Sequence, residues 1–233
     1  MGLESDLANE ATNILRLHWS FRNGSSVPET EEVSIGNEGV KLDAAVLSAD
    51  LSDSIAWAQK GPPEFAAELY KLFLRSANRV VTGNHGRIVA FDSGRFMAIF
   101  GGPAKSSHAM KSALQIHYVS EKILTPRLVE RYPAYGFPIS YGIGIDVSPV
   151  LAVRSGVRGS NDLLWVGRAP DLAARLSTLR SGTPAAWVTA DVFENAHLSS
   201  KVSAGGTGFP MWERIDLPAL GVLSYRSGWT WPL

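Results

Sequence analysis

GRIVAFDSGRFMAIFGG, residues 86–102, consists of two apolar runs separated by a polar, glycine-bearing turn. That pattern is a β-hairpin: each run has the length of a strand, and Asp-Ser-Gly supplies the turn chemistry. What flanks the hairpin sets the fold. Upstream, KLDAAVLSADL (41–51) is apolar enough for a buried strand, and residues 64–80 place Phe65, Leu69, Leu72, Phe73, Ala77 and Val80 on one helical face. Downstream, SHAMKSALQIHYVSEKILTPRLVERY (107–132) reads as a long helix that Pro126 bends or restarts. FPISYGIGIDVSPVLAVRSG (137–156) reads as a strand, a break near Ser148-Pro149 and a returning strand. A further strand, LLWVG (163–167), and a helix, APDLAARLSTL (169–179), follow. The order β-α-β-β-α-β predicts an α/β (α+β) fold with a ferredoxin-like, split βαβ core. The last fifty residues, with AAWVTADVF, GGTGFP and SYRSGWTWPL, read as a short strand–helix element plus closing strands.

The N-terminus has a different character. Leu3, Leu7, Ala11, Ile14, Leu15 and His18 repeat with helical spacing, which predicts an amphipathic helix over 3–18 that docks on a neighbour or a second subunit. FRNGSSVPETEEVSIGNEG (21–39) is rich in Gly, Ser, Asn, Glu and Pro and reads as a linker or exposed loop. The expected organisation is therefore an N-terminal helix and linker over 1–40 and a single domain over 41–233.

Composition excludes several function classes. With 233 residues, 22 Lys+Arg against 22 Asp+Glu and no cysteine, the chain has room for a real core but no basic footprint for nucleic acid or a membrane surface. The absence of cysteine removes disulfide scaffolds, thiolate nucleophiles, iron–sulfur clusters and cysteine zinc sites. The N-terminus has no basic start or apolar core of a signal peptide, Asp6 breaks the myristoylation pattern, and no apolar run approaches the ~18–20 residues of a membrane span. A soluble cytoplasmic protein is expected. The five histidines lack metal-ligand spacing, GIG (142–144) lacks the third glycine of a dinucleotide fingerprint and reads as a turn or close-packing glycine, and no nucleophile elbow is present.

Three segments carry candidate chemistry. AAVLSADLSDS (44–54) is an apolar strand ending in Asp50; that aspartate either caps the strand or, with the Leu51 carbonyl and the turn Ser52, Asp53 and Ser54, offers a hard cation and phosphates a seat. The hairpin turn can bring a second acidic group beside the first. In NDLLWVGRAPDLAARL (161–176), Asp171 and Arg175 lie four apart on one helical face, either a surface ion pair of small worth or a charged pair aimed at a reacting phosphorus.

Taken together, ADLS at a strand end, a hairpin closing in MAIF, GIGID and G-x-x-x-D-L-A-A-R-L resemble the catalytic domain of class III nucleotidyl cyclases over roughly residues 41–180. The run SNDLLWVGRAPDLAARLS (160–177) is most similar to the pyrimidine cyclases of bacterial antiphage (Pycsar) systems, which make cyclic UMP or cyclic CMP as an alarm signal. The resemblance implies that two strand-end aspartates hold two divalent ions, Mn²⁺ or Mg²⁺, ~3.5–4 Å apart, while the 3′-hydroxyl of a nucleoside triphosphate attacks its own α-phosphate. Asp50 matches the first metal aspartate, with Leu51 offering its carbonyl. Arg175 matches the arginine that stabilises charge on the transferring phosphorus, a task suited to a permanently charged planar fork.

The sequence departs from the family pattern at five positions. Gly94 stands where the second metal aspartate belongs, leaving Asp92, two residues upstream with the same face parity, as the alternative. Asp171 replaces the ribose-orienting Asn of many members, and Asp53 replaces a phosphate-turn glycine. Where purine cyclases read the base with polar side chains, this chain has Ala90 and Leu164, neither of which can hydrogen-bond. The neighbours Phe91 and Trp165 either narrow a pyrimidine pocket or are core aromatics.

By this resemblance the expected protein is a homodimer with two interfacial sites, since metal aspartates and arginine come from opposite subunits. It would convert UTP to 3′,5′-cyclic UMP and pyrophosphate, with CTP as the alternative substrate, and a separate effector would sense the product. A purine cyclase and a degenerate cyclase homology domain that binds nucleotide without turnover are rivals. A diguanylate-cyclase-like domain is a weaker one, because FDSGRF lacks the acidic pair that fold's hairpin needs. Lys201 or Arg214 are the candidates for a triphosphate contact from the C-terminal segment.

Overall fold

The computed structural model describes residues 2–51, 61–92, 94–135, 139–156, 163–179, 186–203 and 208–233. Its centre is β2 (Glu38–Asp50), a strand buried on both faces over most of its length. On one side β2 pairs antiparallel with β4 (Arg95–Phe100), which forms the expected hairpin with β3 (Gly86–Phe91); on the other it pairs antiparallel with β5 (Gly142–Arg154). The spatial order β3-β4-β2-β5 is the ferredoxin-like arrangement that the element order implied. β7 (Ala186–Thr189), β9 (Val222–Ser227) and β8 (Glu213–Leu217) continue the sheet beyond β5 and are the expected closing strands. β6 (Leu163–Val166) pairs with the far end of β5, from Leu151 to Arg154.

Both faces of the sheet are covered at its centre, which explains why β2 reads as a continuous apolar run instead of alternating. On one face Ala45, Leu47 and Ala49 pack with Phe65, Leu69 and Phe73 of α2 (Pro63–Gly83) and with Met110 and Leu114 of α3 (Lys105–Tyr118). On the other, Val40, Ala44 and Val46 pack with Val150, Trp165 and, from the buried face of α5 (Arg168–Ser177), Ala169 and Ala173, while Leu172 and Leu176 of that face pack with Trp187. That buried face is Ala169, Leu172, Ala173 and Leu176, the i, i+3, i+4, i+7 stripe of an amphipathic helix, and each buried leucine contributes about 1.5–3 kcal/mol.

Gly144 decides how closely α5 approaches. A Cβ there would sit 2.2 Å from the Ala173 carbonyl oxygen and 2.6 Å from the Leu176 Cβ, so this is a close-packing glycine and not a turn. The contact brings Ser177 Oγ to 3.3 Å from Ser48 Oγ, two residues before the end of β2.

Two local expectations are corrected, and the expected restart at Pro126 is found. The 21–39 segment is not a free linker: β1 (Ser20–Asn23) runs parallel to the start of β2, and Val33 is fully buried in the second core. There is no break at Ser148-Pro149. β5 is one strand, and Pro149 falls between its ladder with β7 (Ile143–Ile145) and its ladder with β6 (Leu151–Arg154), where that edge has no ladder to lose a donor. The long helix is divided: α3 opens into one wide π-helical turn at Val119–Leu124 before α4 (Thr125–Arg131), whose first turn holds Pro126.

The N-terminal helix α1 (Leu3–Arg16) forms as the spacing predicts, yet none of its residues is buried. Leu3 is 74% and Leu15 84% exposed. Its C-terminal end is tied back through Asn37, whose side-chain amide donates to the Ile14 and Leu17 carbonyls at 2.8 Å each. No described helix is long and apolar enough to cross a membrane.

Candidate active site

Asp50 is the last residue of β2 and is 1% exposed, a buried carboxylate at a strand end. Register places it opposite Gly142 of β5 and Arg95 of β4. Cross-strand partners share a sheet face, so the Arg95 guanidinium lies against the carboxylate. Asp50 Oδ2 accepts from Arg95 Nη2 at 2.5 Å and from Nε at 3.1 Å.

The hairpin turn is held by Asp92. Its Oδ1 accepts from the Gly94 and Arg95 amides at 3.2 and 3.1 Å, while its own amide donates to the Arg95 carbonyl at 2.9 Å. The Asp92 carboxylate is therefore used to close the turn. The Leu51 amide donates to the Gly94 carbonyl at 2.7 Å, which fastens the end of β2 to the hairpin. Leu51, Asp92, Gly94 and Arg95 meet around a small cavity of about 30 Å³ that Tyr70, Phe73 and Phe96 help line.

α5 covers this sheet face only over β2 and β5. Toward β3 and β4 the face is a more open shelf: Val89 and Met97 are half-buried, and Ala90 and Arg95 are exposed. Ala90 faces the shelf side as the cross-strand partner of Met97, after a bulge at Val89. Phe91 is 69% exposed and, with Ala90, borders a groove of about 850 Å³ along the outer edge of β3, beside Arg75 and Arg79 of α2.

The other expected site residues lie elsewhere. Asp171 and Arg175 are both on the solvent face of α5, joined by a 3.0 Å ion pair. Trp165 is a core aromatic packed with Ala169 and Ala173, so within one chain it does not narrow a pocket with Phe91. Leu164, half-exposed on β6, sits across β4, β2 and β5 from Ala90. Lys201 is spent on the Glu194 carbonyl at 3.3 Å and the Phe193 ring, and Arg214 lies on the edge strand β8. Ser52, Asp53 and Ser54 lie outside the described residues. The chain thus unites Asp50, Leu51, Asp92 and Gly94, and separates them from the Asp171–Arg175 pair.

Two features escaped the sequence reading. One is Arg95, whose place opposite Asp50 is set by the register of β4 on β2 and has no local sequence signal. The other is a buried charge network under the start of α5. Asp146 of β5, fully buried, accepts from Arg168 Nε at 3.0 Å, from Nη2 at 3.2 Å and from the Thr189 hydroxyl at 2.7 Å. Arg168 also reaches Asp191 at 2.6 Å and the Val147 carbonyl at 2.8 Å, and the Asp191 hydrogen bond raises its pKa above the ordinary arginine value. A charge in the middle of the apolar run GIGIDVSPV was the available signal.

The described residues do not fit a pair of protein-held divalent ions. Two ions need two facing carboxylates, whereas Asp50 is paired with a guanidinium, Gly94 has no side chain and Asp92 caps a turn. Among the described residues there is no group of three or more His, Asp or Glu side chains that could hold a metal ion.

No protein-family model matches the chain. Full-length relatives do. A protein named uridylate cyclase from Burkholderia cepacia is 34% identical over 233 residues, covering 99% of both chains. One of the same name from Rhodovulum sp. (strain MB263) is 34% identical over 219 residues, 93% of this chain and 91% of that one. A third, from Xanthomonas perforans, is 32% identical over 99% of both. Among solved structures, the guanylyl cyclase Cya2 matches with a TM-score of 0.64 at 15% identity, over 83% of this chain and 95% of that one. A class III adenylyl cyclase-like ATP-binding protein from Pseudomonas aeruginosa matches with a TM-score of 0.67 at 16% identity, over 83% of this chain and 43% of that one. With the class III cyclase fold and this likeness along its whole length, the chain belongs to the uridylate cyclase family.

Proposed function

We propose that the chain is a pyrimidine nucleotide cyclase that converts UTP to 3′,5′-cyclic UMP and pyrophosphate. The observation that carries this reading is coverage: the likeness to three uridylate cyclases runs from end to end, through both the Asp50 strand and α5. In the reaction a bond forms between O3′ and the α-phosphorus, the bond from that phosphorus to the bridging oxygen of pyrophosphate breaks, and the hydroxyl proton is released.

The working unit is a homodimer with two sites at the interface. Within one chain Asp50 is engaged by Arg95 and Arg175 by Asp171, so neither completes a site for the other. A second copy would lay its Arg175 over the shelf beside Asp50, where the guanidinium fork stabilises charge building on the phosphorus. The apolar stripe of α1, bare in one chain, is the element we assign to that contact, which makes 1–40 an association arm and 41–233 the catalytic domain. Ala90 and Phe91 of one copy and Leu164 of the other line a base site with no side-chain hydrogen bond to offer, as suits a pyrimidine read through backbone groups. Mn²⁺ or Mg²⁺ accompanies the triphosphate. In this reading the enzyme works in the cytoplasm, and its product is an antiphage signal for a separate effector.

A second reading, a nucleotide-binding domain without turnover, is favoured by Gly94. An assay of ATP, GTP, CTP and UTP with Mn²⁺, products resolved by mass, separates the two when this chain and Gly94→Asp are compared. Cyclic UMP from this chain supports the proposal, and cyclic CMP in its place reassigns the substrate. Product only from Gly94→Asp shows a disabled metal position, and binding without product from either protein overturns the cyclase reading.

A further inference from the structure

We propose that Arg95 is the resident cation of the Asp50 carboxylate, so that the protein without nucleotide holds no divalent ion at this site. The inference concerns the same site as the proposed cyclase reaction but does not depend on turnover.

Three observations lead to it. The Asp50 carboxylate is almost completely buried, and a buried carboxylate needs a compensating positive charge. That charge is supplied within the chain: Nε and Nη2 of Arg95 both donate to Oδ2, at 3.1 and 2.5 Å, from the register position opposite. The carboxylate that would tip the balance toward a metal is missing, because Gly94 has no side chain and Asp92 Oδ1 is committed to the Gly94 and Arg95 amides.

Charge arithmetic then decides the occupant. Among the described residues Arg95 cancels the Asp50 charge and Asp92 is turned to the Gly94 and Arg95 amides, which leaves a divalent ion little net attraction, and a bound ion would stand next to a fixed positive charge a few ångströms away. Magnesium-type sites are built on one or two free carboxylates together with substrate phosphates. The same arrangement suits an anion: Arg95 is half-exposed, with donors left over after Asp50, and faces the shelf. The Arg95 donors that Asp50 leaves unused can therefore meet phosphate oxygens directly, and any divalent ion enters on the triphosphate.

The test is a Mn²⁺ titration of the full chain without nucleotide, read by the loss of the free-ion electron paramagnetic resonance signal. Arg95→Gln, Arg95→Lys and Asp50→Asn are titrated alongside, and thermal unfolding checks that each variant folds. The unaltered chain and Arg95→Lys should take up no Mn²⁺ at this site, because both keep the positive charge. Arg95→Gln should bind at least about tenfold more tightly, equivalent to 1.4 kcal/mol, and Asp50→Asn should abolish that binding when combined with it. Saturable binding by the unaltered chain that Asp50→Asn removes would overturn the proposal, and this comparison decides even if Arg95→Gln does not fold. Equal binding by folded Arg95→Gln and the unaltered chain would overturn it too. Cyclic nucleotide formation is measured separately, so a chain that excludes Mn²⁺ yet makes no cyclic UMP fails the cyclase reading and leaves this one standing.

Discussion

Arg168, the first residue of α5, grips the fully buried Asp146 of β5 through Nε to Oδ2 at 3.0 Å and Nη2 to Oδ1 at 3.2 Å. The contact fixes the N-terminal end of the helix that displays Asp171 and Arg175. Removing the guanidinium leaves a buried carboxylate with only the Thr189 hydroxyl among the partners described above. Arg168→Met should therefore destabilise the fold by about 3 kcal/mol, and adding Asp146→Asn should recover part of that loss. Urea unfolding of the single and double variants checks both expectations.

Gly144→Ala places a methyl group against the Ala173 carbonyl and the Leu176 side chain. Backbone contacts at 2.2 Å cannot be relieved by turning a rotamer, so the whole helix must lift. The expected cost is about 1–3 kcal/mol of stability, with a fall in cyclase turnover because Arg175 moves with the helix. Thermal unfolding and turnover measured on the same preparation test the two effects together.

Arg175→Ala should separate activity from stability. The residue is exposed and its i, i+4 pair with Asp171 is worth under about 0.5 kcal/mol, so unfolding should hardly change. Turnover should drop by about 10²–10³-fold, with nucleotide binding largely retained, if the guanidinium acts on the transition state. A loss of binding equal to the loss of turnover would count against that role.

Acid should destabilise the fold at His117, a partly buried histidine of α3. Burial lowers the pKa of His117, whose Nδ1 lies 3.0 Å from the Trp229 carbonyl, and burial followed by the nearby His85 lowers that of His108. A histidine harder to protonate in the folded state stabilises at high pH. That contribution is lost as pH falls below the unfolded value of 6.5, down to the folded pKa. Chemical denaturation at pH 5 and 7.5 should show a smaller acid loss for His117→Gln than for the unaltered chain.

Removing residues 1–18 should leave the unfolding temperature of the remaining chain nearly unchanged, because α1 buries none of its residues. It should weaken self-association, since an isolated 14-residue helix is marginal in water and its apolar stripe needs a partner. Sedimentation at several concentrations reads the outcome, and an unchanged dimer would remove α1 from the interface.

Much of this is legible in the sequence. The hairpin at 86–102, the apolar β2 and the amphipathic stripe of α5 are local patterns, and local patterns survive folding when both faces of an element agree with its environment. The misread places share a physical cause. Pro149 looks like a breaker, but its meaning depends on whether a neighbouring strand needs its missing amide, which only the sheet can say. Residues 20–23 have the composition of a loop and become a strand because β2 leaves an edge beside them.

The sequence by itself determined the order of elements, the ferredoxin-like core and the candidate carboxylate at a strand end, because periodicity and turn chemistry act over a few residues. Only the tertiary structure decided what Asp50 touches. Pairing of charges depends on strand register across 45 residues of chain, and register set Arg95, not a second aspartate, against the buried carboxylate. The same holds for Asp146 and Arg168, 22 positions apart: burial makes their attraction strong, and burial belongs to the fold as a whole.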